Sequence, residues 1–210
     1  MPTLFVFTIW DVRNKSIFKD TLPSSDLTVN LLLQKVMEHR KEIKPKPKRV
    51  LKPPRMDKNI PWAFFDGESQ GEALVGGEGG ILYMNEMSKT EIFFSPCQGT
   101  NNKAELSALW SVLKIATKKN VKNLQICGDS KLTIDWANGK LQINAPHLQH
   151  LLRAIKSQVE RFDSLSFQHI YRELNEYADK LSKAALSLPP GIMLIKDYEN
   201  NLLINQYIRL

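Results

Sequence analysis

From Pro61 onward the apolar residues fall into short runs bounded by turn residues, and the order of those runs limits the possible folds more than any other feature of the chain. Trp62 to Phe65, Gly80 to Met84 and Glu91 to Ser95 read as three consecutive strands separated by Gly-rich or polar turns, the pattern of an antiparallel meander. Helical periodicity runs from Asn102 to Lys119. A strand at Asn123–Cys127 follows, then a short helix from Ser130 to Ala137 and a longer one from His147 to Arg161. Leu165 to Tyr171 reads as a fifth strand, and a closing helix from Glu176 to Leu186 is stopped by Pro189 and Pro190. The order βββαβααβα predicts an α/β fold, a five-stranded mixed sheet with helices on both faces. Residues 191–210 alternate between apolar and polar positions without a clear period and read as an edge segment.

Upstream the organisation changes. The net charge of +7 is concentrated between Lys44 and Lys58, which carry seven bases against one acid, Asp57; residues 61–190 hold 14 bases and 14 acids. Pro45, Pro47, Pro53 and Pro54 lie in the same stretch, so residues 44–60 read as an extended linker, with a span of roughly 45 Å from Lys44 to Lys58. Such a run suits a solvated spacer, a nucleic-acid tether or an import sequence. Residues 1–43 read as a small helical segment: Trp10, Ile17 and Phe18 sit close together in one helix. Leu27, Leu31, Val36 and Met37 give an apolar side to a second, which Ser24, Ser25 or Asp26 caps. The apolar run from Leu4 to Ile9 is too short to span a bilayer and has no Lys or Arg ahead of it. The expectation is an intracellular protein, nuclear or cytoplasmic, with Cys97 and Cys127 as small buried hydrophobes or free thiols.

Four carboxylates then need explanation. Asp66 and Asp129 each follow a strand-like run, at the carboxyl end where open α/β sheets bind ligands. Glu105 lies in the first turn of a helix approached through Thr100-Asn101-Asn102, on the same side as Ala108, Leu109, Val112 and Ala116, and a bare charge on a buried face is costly. Asp179 lies near the start of the closing helix. Taken singly, each has an ordinary reading: a helix-dipole partner for Glu105, a turn for Asp66-Gly67, a cap for Asp129-Ser130, a first-turn acid for Asp179. Taken together, they suit a pair of hard divalent cations, which take oxygen ligands and, about 3.5 to 4 Å apart, stabilise both oxygens of an in-line phosphoryl displacement. No nucleophile dyad competes, since His39, His147 and His150 fall on exposed helical positions.

Five motifs in order now resemble a known family: Phe65-Asp66-Gly67, Gly79-Gly80-Ile81-Leu82-Tyr83, Gly99-Thr100-Asn101-Asn102-Lys103-Ala104-Glu105-Leu106, Gly128-Asp129-Ser130-Lys131-Leu132, and His169 through Asp179 with its Asn175-Glu176-Tyr177-Ala178-Asp179 end. Over residues 61–190 they look like the ribonuclease H type 1 domain, most closely the branch found in plant non-LTR retroelements and stand-alone plant proteins. The resemblance implies hydrolysis of the RNA strand of an RNA·DNA hybrid with two magnesium or manganese ions held by Asp66, Glu105, Asp129 and Asp179. Asp66 would bridge both ions, with Asp179 on the nucleophile side and Glu105 and Asp129 on the leaving-group side. His169 matches the family's mobile histidine that assists turnover. Gly67, Thr100, Asn101, Asn102 and Asn175 match positions that contact the hybrid, where amides and backbone read the minor groove and 2′-hydroxyls.

The chain also departs from that pattern. Glu68 places an extra charge near the site and makes Asp66-x-Glu68 resemble the opening of the proofreading-type 3′ to 5′ exonucleases, whose remaining motifs are missing. Residues 138–145 are too short for the basic, Trp-rich protrusion of many relatives, so the Lys44–Lys58 run is expected to substitute as a sequence-blind phosphate contact. A non-catalytic nucleic-acid-binding module of retroelement origin is the alternative in a different functional class.

Overall fold

In the computed structural model one nine-residue strand, β1 (Trp62–Gln70), organises the larger part of the chain. The structure describes residues 9–10, 12–14, 17, 25–42, 51–70, 75–96 and 98–209. They fall into two compact units, Met1–Val50 and Leu51–Leu210. Along its whole length β1 pairs antiparallel with β2 (Val75–Tyr83), which pairs in turn with β3 (Ser88–Phe94). On its other side β1 pairs parallel with β4 (Asn123–Gly128) only from Trp62 to Phe65, and β4 pairs parallel with β5 (Ser164–His169). The parallel ladder therefore stops at Phe65 and Gly128. Asp66 and Asp129 are the first residues beyond it, where the sheet opens into a crevice. The expected end of the strand at Phe65 is corrected here: Gly67 to Gln70 continue to bond β2, so Asp66 sits mid-strand and is held on one side by the ladder.

The sheet has seven strands rather than the expected five, in the order β5-β4-β1-β2-β3-β6-β7. The additions, β6 (Met193–Glu199) and β7 (Leu202–Arg209), are the C-terminal segment folded back as a hairpin on β3. Asn200 and Asn201 join them with φ of 49° and 62°, and two consecutive left-handed residues make the turn whose twist matches antiparallel strands. Met193 and Ile195 of β6 bury their side chains in the core.

Helix α2 (Asn101–Lys118) covers one face of β1 and β2, and α3 (Lys131–Ala137) and α4 (Gln149–Val159) pack beside it. Its every-third-or-fourth residues Leu106, Leu109, Leu113 and Ala116 meet Phe65, Leu82 and Ile126 in the main core. Each fully buried Leu or Phe there contributes roughly 2 kcal/mol. On the opposite face α5 (Glu176–Ala185) lays Leu181 and Ala185 on Ile81 and Phe93.

In the first unit, α1 (Ser25–Glu42) is one helix with Asp26 in its first turn. Leu32 is buried and Val29, Leu33 and Met37 are exposed. The side chains of Phe18, Leu27, Val36 and His39, residues 43–50 and Cys97 lie outside the described residues. The later part of the basic run lies on the larger unit, because the Gln125 side chain accepts from Asp57 N at 2.9 Å and donates to Asp57 O at 2.7 Å. No helix among the described residues is long and apolar enough to cross a membrane.

Candidate active site

Three of the four carboxylates converge. Asp66, Glu105 and Asp129 each bring one oxygen to within 4.8 Å of the other two. Glycine makes the approach possible. A Cβ on Gly67 would fall 2.2 Å from the Ala104 carbonyl carbon and 2.3 Å from the Glu105 nitrogen, so α2 begins directly against the β1 backbone. Thr100 starts the helix as its N-cap, accepting from Lys103 N at 3.4 Å, and so sets Glu105 facing Asp66 in the second turn rather than the expected first.

The opposite helix comes equally close. Gly79, paired with Asp66 across the ladder, would drive a Cβ to 2.2 Å from Ser182 N. That contact delivers the fully buried Ser182, whose hydroxyl donates to the Asp66 carboxylate. Asn175, matched to a hybrid-contacting position, points inward: it is 1% exposed, and its Nδ2 donates at 2.9 Å both to Phe65 O and to Asp129 Oδ1. One amide thus ties the end of the parallel ladder to the third carboxylate. Asn175→Ala is expected to raise the divalent-metal concentration needed for half-maximal cleavage by about 10- to 100-fold, as loss of a ligand's outer hydrogen bond does. It also leaves a buried carbonyl unpaired at a cost of roughly 1 to 3 kcal/mol, so a metal titration and a denaturant melt of the variant should both move.

Asp179 stands beside this group rather than in it. Its Oδ1 accepts from Arg172 at 2.7 Å and its Oδ2 from Lys183 at 2.6 Å. His169, the last residue of β5, is exposed, with Nε2 3.1 Å from Asp129 O. Asn101 Oδ1 accepts from Ser69 N at 2.9 Å, while Asn102 is exposed at the helix start. Glu68 is turned to Gln70, whose Nε2 reaches its Oε1 at 2.7 Å, and it is not among the three converging acids.

The electrostatics follow from crowding acids in a dry cleft. Burial, then the neighbouring Asp66 and Asp129 charges, push the Glu105 carboxyl up to about 9, against the bond it receives from Gly67 N–H. Burial raises Asp66 to about 6, opposed by the Ser182 hydroxyl and reinforced by Asp129 and Asp179. Burial pushes Asp179 up as well, but Lys183 and Arg172 outweigh it and hold the carboxyl below its usual range. Without a counter-charge the cluster therefore retains protons that a cation would displace.

Sequence reasoning missed Ser182 and the cation pair Arg172 and Lys183. Lys183 is legible in hindsight as the i+4 partner of Asp179, but Ser182 becomes meaningful only once Gly77 and Gly79 of β2 let α5 sit on the sheet.

Comparison with known proteins agrees with this arrangement. Residues 64–185 match the family described as reverse transcriptase-like. Ribonuclease HI of Halobacterium salinarum is 32% identical over 132 residues, which cover 59% of this chain and 63% of that protein. A bifunctional protein of Mycobacterium tuberculosis is 27% identical over 123 residues, 58% of this chain and 34% of that protein. The chain thus spans less than two thirds of the length of either. Among solved structures, RNase H1 of the same Halobacterium superposes with a TM-score of 0.57 at 30% identity, covering 60% of this chain and 97% of that one. LC11-RNase H1 in complex with an RNA/DNA hybrid superposes with a TM-score of 0.54 at 25% identity, covering 60% and 96%.

Proposed function

Because the chain belongs to the reverse transcriptase-like family and carries the ribonuclease H fold, we propose that it is an endonuclease hydrolysing the RNA strand of RNA·DNA hybrids. The observation that carries this reading is the meeting of Asp66, Glu105 and Asp129 at the open end of the parallel strands. The similarity to Ribonuclease HI and to a relative solved with an RNA/DNA hybrid supports the choice of substrate.

The residues fit a hard divalent cation. Every donor is a carboxylate oxygen, and the buried Glu105 Oε2 has no hydrogen-bond partner among the described residues. Asp66, Glu105 and Asp129, with Asp179 as the fourth, would hold a pair of magnesium or manganese ions. Such ions, when bound, supply Lewis acidity to the phosphodiester and lower the pKa of water. The protein's own groups do the rest. Ser182 and Asn175 fix the orientation of Asp66 and Asp129, while Arg172 and Lys183 are positive groups at the mouth of the cleft for substrate phosphates. His169 is an exposed base beside Asp129 for proton movement during product release. Thr100, Asn101 and Asn102 present polar groups to the minor groove.

Since Asp66 holds its proton up to about 6 and Glu105 up to about 9, metal binding must release protons. The magnesium concentration giving half-maximal cleavage should therefore fall as pH rises from 6 to 9, and a half-saturation value independent of pH would contradict the assignment. Substrate class is tested by offering end-labelled hybrid, duplex RNA and duplex DNA with magnesium. Cuts confined to the internal RNA positions of the hybrid support the proposal. Hybrid bound but uncut would favour the binding module, and stepwise loss from a 3′ end the exonuclease reading.

A further inference from the structure

The C-terminal hairpin creates a second cleft, and nothing in the proposed cleavage reaction uses it. β6 and β7 extend the sheet past the edge of α2, leaving a cavity of about 510 Å³ between them. Its walls are Phe94 at the end of β3, Trp110, Lys114 and Lys118 on α2, and Arg209 on β7, with Tyr207 next to Arg209 along the same strand. The cations lie over rings: Lys114 Nζ is 5.4 Å from the Trp110 ring centre and the Arg209 guanidinium 5.3 Å from that of Tyr207. No acid lines the cavity. The nearest carboxylate farther along that face of β6, Asp197, is already neutralised by Lys119 at 2.8 Å and accepts from Thr90 at 2.7 Å. Among the described residues Lys114, Lys118 and Arg209 form no ion pair, so their charge is available.

Unneutralised cations alternating with partly open aromatic faces form a surface suited to a polyanion with stacking groups. We infer that this cleft is an auxiliary site for single-stranded nucleic acid, in which Lys114, Lys118 and Arg209 contact phosphates and Trp110 or Tyr207 stacks against a base. From the strand order its outer wall, β7, lies four strand spacings from β1, or roughly 19 Å, and none of the site's carboxylates lines the cleft. It would hold an unpaired extension of a substrate engaged elsewhere on the protein. An acidic peptide would satisfy the charge but leave the rings without a role.

The test is fluorescence anisotropy of labelled oligo(U) and oligo(dT), with a polyglutamate peptide as a third probe, on the full chain without divalent metal. The triple variant Lys114→Ala/Lys118→Ala/Arg209→Ala is expected to bind both oligonucleotides at least about 10-fold more weakly near 0.1 M salt, and its log–log salt slope should shrink by about 2, from roughly 0.7 per lost phosphate contact. A control triple Lys122→Ala/Lys156→Ala/Arg161→Ala removes the same charge elsewhere and should retain the wild-type slope. Circular dichroism establishes that both variants are folded. Equal weakening in the two triples, no oligonucleotide binding by the wild type, or a loss confined to polyglutamate would each overturn the inference. Hybrid cleavage with magnesium is read in a separate assay, so failure of the cleavage proposal and failure of this one give different results.

Discussion

Asp129→Asn is expected to lower the rate of hybrid cleavage by at least about 10³-fold, a loss near 4 kcal/mol of transition-state stabilisation, with little change in fold. The amide oxygen of the new residue can still accept the 2.9 Å bond from Asn175, so the tie between the site and Phe65 survives. What disappears is one negative charge from a group of three whose oxygens lie within 4.8 Å of one another. Single-turnover rates at saturating hybrid, alongside a thermal melt, separate the two effects. A variant that melts like the wild type yet cuts within 10-fold of it would remove Asp129 from the chemistry. Glu105→Gln should behave similarly, because the amide oxygen can still accept from Gly67 N–H while the charge is lost.

The second large effect concerns Glu78, a carboxylate that no cleavage role requires. It lies on β2 opposite Gly67, is 1% exposed, and receives Ser111 Oγ at 3.0 Å, while its other oxygen has no partner among the described residues. Burial pushes its carboxyl up to about 8, against hydrogen bonds from Ser107 and Ser111 and the charge of Lys103. The folded protein therefore holds it protonated where the unfolded chain, titrating near 4.5, does not. The stability it allows is complete below 4.5, falls as pH rises through the interval to 8, and levels off above it. The shift corresponds to at most roughly 5 kcal/mol. Glu78→Gln, which cannot ionise, should lack that decline, so urea unfolding at pH 5 and pH 9 should show the variant gaining on the wild type by several kcal/mol. Parallel pH dependence in the two proteins would mean that the carboxyl is solvated in solution.

Much of the cleft was legible because its determinants are local. The Thr100 cap, the Asp-Gly pair at 66–67 and the Asp129-Ser130 strand-to-helix step each reveal their place in a few residues, and the topology then brings their ends together. What escaped depended on contacts distant in sequence. Asn175 serves Asp129 and Phe65 across 46 and 110 positions, and Ser182 reaches Asp66 across 116. No periodicity encodes such pairs. Asp179 is the fourth acid of the cleft, and what the sequence does not reveal is that Arg172 and Lys183 hold both its oxygens beside the other three. The hairpin was obscured for another reason. Its turn uses Asn-Asn in place of a glycine, and its outer strand leaves Leu202, Leu203, Ile204 and Ile208 exposed, which blurs the alternation that marks a strand.

If Asp66, Glu105 and Asp129 share bound cations, anomalous diffraction from crystals of the protein soaked in manganese should locate them there. The expected map has its strongest peak within coordination distance of Asp66, Glu105 and Asp129. A protein that cuts hybrid in manganese yet shows no peak among those three side chains, or shows its peak elsewhere, would contradict that sharing.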